Sequence, residues 1–330
     1  MSKLGERAII APFLRTFPAV LAISLILAAC SGAATPTPVP PTPAPAPTAT
    51  RAPTATSAPT ATATTAPTAT AVPRYHGALG ANVVTEWNAV AETAAVDAVT
   101  MALMHIAIHD ALNSIDSRYE PFVVETSQPG ASPEAAVASA AHTLLFARLP
   151  AAARPSLAAA LASSLATIPD GTAKTQGIQF GKAVGQTVFA FYNPTAPPGL
   201  PPPPPGPGVW SAPAGTTTLS GSFPPKFPAL TFTNVEQFRA PPPVALTSAE
   251  YAADFNESKT LGNVNSTVRT TEQTAIANFW MPTNFHLYFS QAARPLSVTQ
   301  QLDLWDAARL FAVFTIVAAD ENRALFDTKA

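Results

Sequence analysis

The chain reads as an all-α protein. Apolar residues recur at helical spacing through several long segments, and alanine is abundant in a chain that is 47% hydrophobic. No stretch alternates apolar and polar residues as a half-buried strand would. Of the 330 residues, 1–30 and 31–74 stand apart by composition, which leaves 75–330 as one folded domain with enough chain to bury a substantial core. Charged residues make up 12% and the net charge is −2, so nothing points to nucleic acid as a partner. With Cys30 as its one cysteine, the sequence has no disulfide framework and no Cys-based zinc site.

The amino terminus reads as an address. Lys3, Arg7 and Arg15 precede an apolar run from Phe17 to Ala29 that is too short to span a bilayer. The run ends in Leu27-Ala28-Ala29-Cys30, which resembles the lipobox of bacterial lipoproteins. That resemblance implies cleavage before Cys30, acylation of Cys30 and a membrane-anchored protein on the extracytoplasmic side of the cell. An ordinary secretory signal with an incidental cysteine is the alternative. Several acyl chains hold firmly, at about 0.8 kcal/mol per buried methylene. Residues 31–74, built from Thr, Ala and Pro, favour polyproline II and lack the apolar bulk to offset ordering entropy. They read as a disordered stalk, on the order of 100 Å long if extended.

Within 75–330, Glu86 to Ile115 contains neither Gly nor Pro and predicts one long helix. Ser132-Pro133 opens a second helix through Arg148, with Ser as cap and Pro in the first turn. Pro155–Thr167 predicts a third and Gly171–Tyr192 a fourth. In the fourth, Gly177, Gly181 and Gly185 form a ridge suited to close helix packing. Residues 193–243 hold sixteen prolines but also Trp210, Phe223, Phe227, Phe232 and Phe238. The aromatics predict an ordered surface loop pinned to the core rather than a free tether. Thr247-Ser248-Ala249-Glu250 has the form of a capping box for a helix to Gly262. Thr270 or Thr271 opens a helix that reaches Trp280 and stops at Pro282, and a short helix is predicted over Phe285–Ala293. The last helix is predicted from Ser297 to about Phe326. Its run from Leu310 to Ala319 is apolar all round, which predicts the most buried helix of the core.

Several polar groups are candidates for chemistry. His105 and His109, four residues apart, share a helical face and could hold zinc, although no Glu lies between them as in His-Glu-x-x-His. Neutral interior histidines hydrogen-bonded across helices are the commoner arrangement, and the favoured reading. Asp110, Asn113, Asp116 and Arg118 suit a network that buttresses the turn after their helix. Glu86-Trp87-Asn88 reads as a helix start with a core aromatic. Arg269, Glu272 and Trp280 could face solvent or a cleft. Asp320 and Asp327 interrupt the last helix, and their carboxylates need partners, for which Arg309 and Arg323 are the nearby cations. Neither Gly-x-Ser-x-Gly nor a phosphate-binding loop is present in the sequence.

Taken together, these segments resemble a known family. Glu86-Trp87-Asn88 and HIAIHDALNSIDSRYEPF (His105 to Phe122) look like the first helices of bacterial vanadium-dependent haloperoxidases, which share a fold with type-2 phosphatidic acid phosphatases. Gly177 to Gly181 and the loop around Val209-Trp210 are similar too. So are Gln237 to Tyr251, Lys259, Leu261-Gly262, Ser266, Arg269-Thr270, Glu272 to Thr274, Phe279-Trp280 and Ala308 to Asp320. The resemblance spans about residues 78–330. It implies a helical bundle that holds vanadate, with peroxide bound there oxidising a halide; in the phosphatase relatives the corresponding His attacks phosphorus. It assigns Lys329 to the first basic ligand of the oxyanion, in a Lys-x6-Arg-Pro motif.

The other anion ligands of that family, Arg-Pro, Pro-Ser-Gly-His and a later Arg and His, do not occur between Lys329 and Ala330. Multiply charged oxyanions need several donors in fixed geometry. The bundle is therefore expected to be C-terminally incomplete, with no complete catalytic set, and the chain alone is expected to be inactive and not to bind vanadate. Exposed apolar faces on the last helix are expected with it. Two other functional readings stand beside this one: a non-catalytic cell-surface binding domain, and a metal-dependent hydrolase built on His105 and His109.

Overall fold

The computed structural model describes residues 75–192, 203–209, 214–215, 229–281 and 285–329, excepting the side chains of 285 and 326–329. Cys30, the Thr/Ala/Pro stretch, Trp210, Phe223, Phe227 and the side chains of Asp327 and Lys329 lie outside it. The unit from Tyr75 to Ala330 is compact. Its described residues form nine α-helices and no strand: α1 Val83–Thr93, α2 Ala98–Ile115, α3 Pro133–Arg148, α4 Arg154–Ala166, α5 Thr172–Phe191, α6 Ala249–Gly262, α7 Thr271–Trp280, α8 Phe285–Thr299 and α9 Leu304–Lys329. Among these residues no helix is long and apolar enough to cross a membrane.

The single helix expected over Glu86–Ile115 is two helices. Asn82 caps α1 through Val84 N and Thr85 N, with Thr85 Oγ1 returning a bond to Asn82 N. Ala95 then takes a positive φ of 50°, and Asp97 caps α2 by accepting from Thr100 N at 2.8 Å and Thr100 Oγ1 at 2.7 Å. A side-chain acceptor at the right offset restarts the helix without any Gly or Pro. Similarly, the predicted start at Ser297 is wrong. Ser297 belongs to α8, which continues through Pro295; Gln301, at φ 49°, breaks the chain, and Asp303 Oδ1 receives Asp306 N at 2.9 Å at the start of α9. Only half of the expected capping box at α6 forms. Ser248, not Thr247, is the N-cap, so Tyr251 rather than Glu250 takes the N3 position.

Helix α2 is the centre of the bundle. Every residue from Thr100 to Ser114 is buried. Helices α1, α3, α5 and α9 pack around it. The last helix is therefore not the most buried one: α9 turns Leu304, Trp305, Phe311 and Ile316 inward but leaves Val317 exposed. The amino-terminal strap is tied to the α8–α9 turn by Gly80 N to Leu302 O (2.9 Å) and Leu304 N to His76 O (3.1 Å).

The glycine ridge of α5 lies directly against α3. A Cβ on Gly177 would fall 2.5 Å from the carbonyl oxygen of Ser132, one on Gly185 2.7 Å from that of Ala140, and one on Gly181 would collide with the carbonyl of Ala136. Absent side chains let the two backbones touch. Gly181→Ala should thus cost about 1–3 kcal/mol by overpacking against rigid backbone. Gly262→Ala, with nothing within 4 Å of the new methyl group, should change stability by only a few tenths of that scale. Urea unfolding of both variants checks the contrast.

Candidate functional site

Two polar clusters lie inside the bundle, one at each half of α2. The first centres on His105, whose side chain is fully buried. Asn88 on α1 receives Arg294 Nη1 of α8 at its Oδ1 (2.7 Å), which turns its Nδ2 toward His105 Nε2 at 2.9 Å. An amide NH2 can only donate there, so Nε2 holds the lone pair and the imidazole is neutral with its proton on Nδ1. That Nδ1 has no hydrogen-bond partner among the described residues. The ring stacks on Phe311 of α9, with centroids 5.0 Å apart. Burial in this apolar cage pushes the His105 pKa down to about 3. Arg294 also pairs with Glu92, and Gln291 donates to the same carboxylate. Asn88, Glu92 and Arg294 thus join α1, α2 and α8.

The second cluster closes the carboxyl end of α2. Asp110, fully buried, accepts from the backbone N–H groups of Phe122 (2.8 Å), Val123 (2.7 Å) and Val124 (2.9 Å). Asn113 Oδ1 accepts from Arg118 N (3.2 Å) and Tyr119 N (2.8 Å). Arg118 then reaches Asp116 (2.7 Å), Asp303 (2.9 Å) and the face of Trp305, 3.9 Å from its ring centroid. Burial opposes ionisation of Asp303, but Asp306 N, His76 and Arg118 outweigh it and hold the carboxyl below its ordinary range. Trp305 Nε1 donates to the carbonyls of Leu112 and Asp116. The buttress anticipated for Asp110, Asn113, Asp116 and Arg118 is thus present, and it extends to α9.

His105 and His109 occupy different surroundings. His109 Nδ1 lies 3.1 Å from Asp110 Oδ1 and its ring stacks on Tyr119. No group of three or more His, Cys, Asp or Glu among the described residues could hold a metal ion. Of the other candidates, Glu86 is exposed in the first turn of α1, and Trp87 is core. Arg269 ties the α6–α7 loop through Leu261 O (2.6 Å) and Thr274 Oγ1 (3.1 Å). Asp320 takes its hydrogen bonds from Leu230 N (2.7 Å), Thr231 N (3.0 Å) and Thr231 Oγ1 (2.5 Å) rather than from the arginine partners expected for it, while Arg309 lies over Tyr119. This pins the described end of the Pro-rich segment to α9. Lys329 closes α9. Arg294, Glu92 and Ser290, whose Oγ lies 3.5 Å from Asn88 Nδ2, were not foreseen. The one available signal was a cation beside Pro295 in a segment with little other charge.

Both clusters make measurable predictions. Asp110→Ala strands three backbone donors at about 1–3 kcal/mol each, so it should abolish folding or cost several kcal/mol. Asp110→Asn, retaining one acceptor oxygen, should be milder, with hydrogen exchange faster at Phe122, Val123 and Val124. For His105 the unfolded chain binds a proton below about pH 6.5 and the folded chain does not until about pH 3. This base therefore stabilises the fold at neutral pH relative to acid, and its contribution falls by about 1.4 kcal/mol per pH unit as pH drops through that window. Denaturant titrations from pH 7 to pH 4 should show a shallower loss in His105→Gln than in the native chain.

No protein-family model matches the chain, and no curated protein matches it significantly.

Proposed function

We propose that the chain is the helical scaffold of a vanadium-dependent haloperoxidase-like lipoprotein held on the extracytoplasmic side of a bacterial membrane through Cys30. The observation that carries the reading is the pairing of two of the stretches on which the resemblance rests. His105 to Phe122 and Ala308 to Asp320 are far apart in sequence, yet α2 and α9 pack together, with His105 stacked on Phe311. One turn before the second stretch, Trp305 is bonded to α2 and covered by Arg118. In this reading the contacts of Trp305 with α2 and Arg118 aim α9, and α9 carries Lys329 at its end as one donor to an oxyanion.

Vanadate, when bound in such proteins, supplies an electrophilic centre at which peroxide is activated toward halide. The residues of this chain do not by themselves fit that group. One lysine cannot satisfy a multiply charged oxyanion against water, and the two buried clusters present Asn88, His105 and Asp110 to partners within the fold. No catalytic step is therefore derived from these residues. Their role is support: Asn88, Arg294 and Glu92 join α8 to α1, and Asp320 holds the 229–234 segment against α9.

The alternative is a non-catalytic binding domain, favoured by the exposed apolar side chains of α7. A phosphatase of the same superfamily would need several donors to its oxyanion in the same way. Reading the coding frame past codon 330 separates the two. Arg-Pro seven residues after Lys329, followed by Pro-Ser-Gly-His, is expected; a stop codon there overturns the enzyme reading in favour of the binding domain. The purified chain of 330 residues is expected to show neither vanadate-dependent bromination of a dimedone reporter nor phosphatase turnover, and bromination that requires vanadate would contradict the support-only role.

A further inference from the structure

Helix α8 meets the bundle with its polar side. Among its described side chains the buried ones are His286, Ser290 and Ser297, and Leu287 and Ala293 pack against the core only in part. Neighbouring α9, by contrast, buries Leu304, Trp305 and Phe311. Apolar burial is the main force that docks one helix on another, so α8 relies on polar contacts instead. Arg294 makes the chief ones, from Nη1 to Asn88 Oδ1 at 2.7 Å and from Nη2 to Glu92. Gln291 donates to the same Glu92 carboxylate, and His286 Nε2 donates to Val96 O at 3.0 Å. Pro295 removes one hydrogen bond from the ladder of α8 itself. An element with few buried apolar contacts opens locally at the least free energy.

Asn88 stands between Arg294 and the fully buried His105. Its Oδ1 accepts from Arg294, and its Nδ2 donates to His105 Nε2 at 2.9 Å. A proton on Nε2 sets two donors face to face. Turning the amide over would present Oδ1 to His105, but it would set Nδ2 against a guanidinium, which has no acceptor. Asn88 therefore serves a neutral His105 together with Arg294, or a charged His105 without it. His105 Nδ1 has no partner among the described residues, so an imidazolium finds no acceptor there either. The ionisable groups around the ring supply none. Glu92 of α1 is taken by Arg294 and Gln291, the Arg294 cation of α8 repels a second positive charge, and α9 offers the uncharged ring of Phe311. On α2 itself, His109 lies one turn away against Asp110 and Tyr119. His286 keeps its bond to Val96 O in either charge state, because Nε2 carries a proton in both.

We propose that α8 is an acid-released helix: a charged His105 is incompatible with Arg294 docked on Asn88, so uptake of a proton by His105 lifts α8 from α1. This holds whether or not the chain belongs to a haloperoxidase. The docked form keeps His105 neutral down to about pH 3, whereas an imidazole in water takes up its proton near pH 6.5. The docked form is therefore favoured fully above that pH, and each unit below it shifts the balance toward the open form about tenfold, or about thirtyfold by pH 5. Hydrogen exchange of the full chain from pH 7 to pH 5, with each rate divided by that of an unstructured chain at the same pH, tests this. Amides of α8 should lose about tenfold to thirtyfold in protection, while those of α3 hold. His105→Gln keeps an acceptor for Asn88 but takes up no proton in this range, so its α8 protection should stay level with pH; circular dichroism checks that it folds. In the native chain, α8 protection that does not change with pH, or that falls equally in α8 and α3, overturns the proposal without recourse to the variant. An acid response of α8 that survives in folded His105→Gln overturns it as well.

Discussion

A helix buried on every side has no solvent to receive its polar groups, and the rest of this structure answers to that constraint. Helix α2 carries His105, His109, Asp110 and Asn113 into an interior where an unpaired polar group costs about as much as several buried methylenes contribute. Asn88 and Arg294 arrive from α1 and α8 to fix His105. The 122–124 backbone folds back to fill Asp110. Each answer draws in another element, so the polar groups of one helix engage α1, α8 and the start of α9 as well as the 122–124 segment.

The two clusters differ in kind. Around Asp110 the acceptor faces three aligned backbone donors, and the result is a rigid corner that continues through Arg118 and Asp303 into the cap of α9. Around His105 the balance is less even. One ring nitrogen accepts from Asn88, while the other has no described partner, and a stacked phenyl ring covers the face. The ring is kept neutral by its surroundings rather than by a charge partner. Burial also falls off across the molecule: α2 and α3 are dense core, whereas α6 and α7 contain no buried residue and carry large apolar side chains in the open.

Much of the helical framework was legible in the sequence because its signals are local. Ser132 before Pro133, the helix start at Thr270–Thr271, and the Gly177–Gly181–Gly185 ridge depend on neighbours within a turn or on the helical repeat. The errors share a cause as well. The break at Ala94–Asp97 and the boundary between α8 and α9 depend on residues that take positive φ without being glycine, Ala95 and Gln301. Composition offers no warning of these, because a non-glycine residue rarely adopts that conformation and nothing in its identity marks the exception. The partners of Asp320 were misjudged for the same reason. A cation nearby in sequence seemed the natural match, but loop backbone some ninety residues away reached it first.

The sequence by itself determined the all-helical class, most helix starts and which polar residues would need partners, because spacing and caps are properties of neighbouring residues. Tertiary structure alone decided which helix became the centre and which partner each buried group received. It also decided that His105 is neutral, and that α9 turns Phe311 inward and Val317 outward. These outcomes depend on which faces meet in space. No residue can signal that meeting locally, since an apolar stripe is equally well buried by any complementary neighbour.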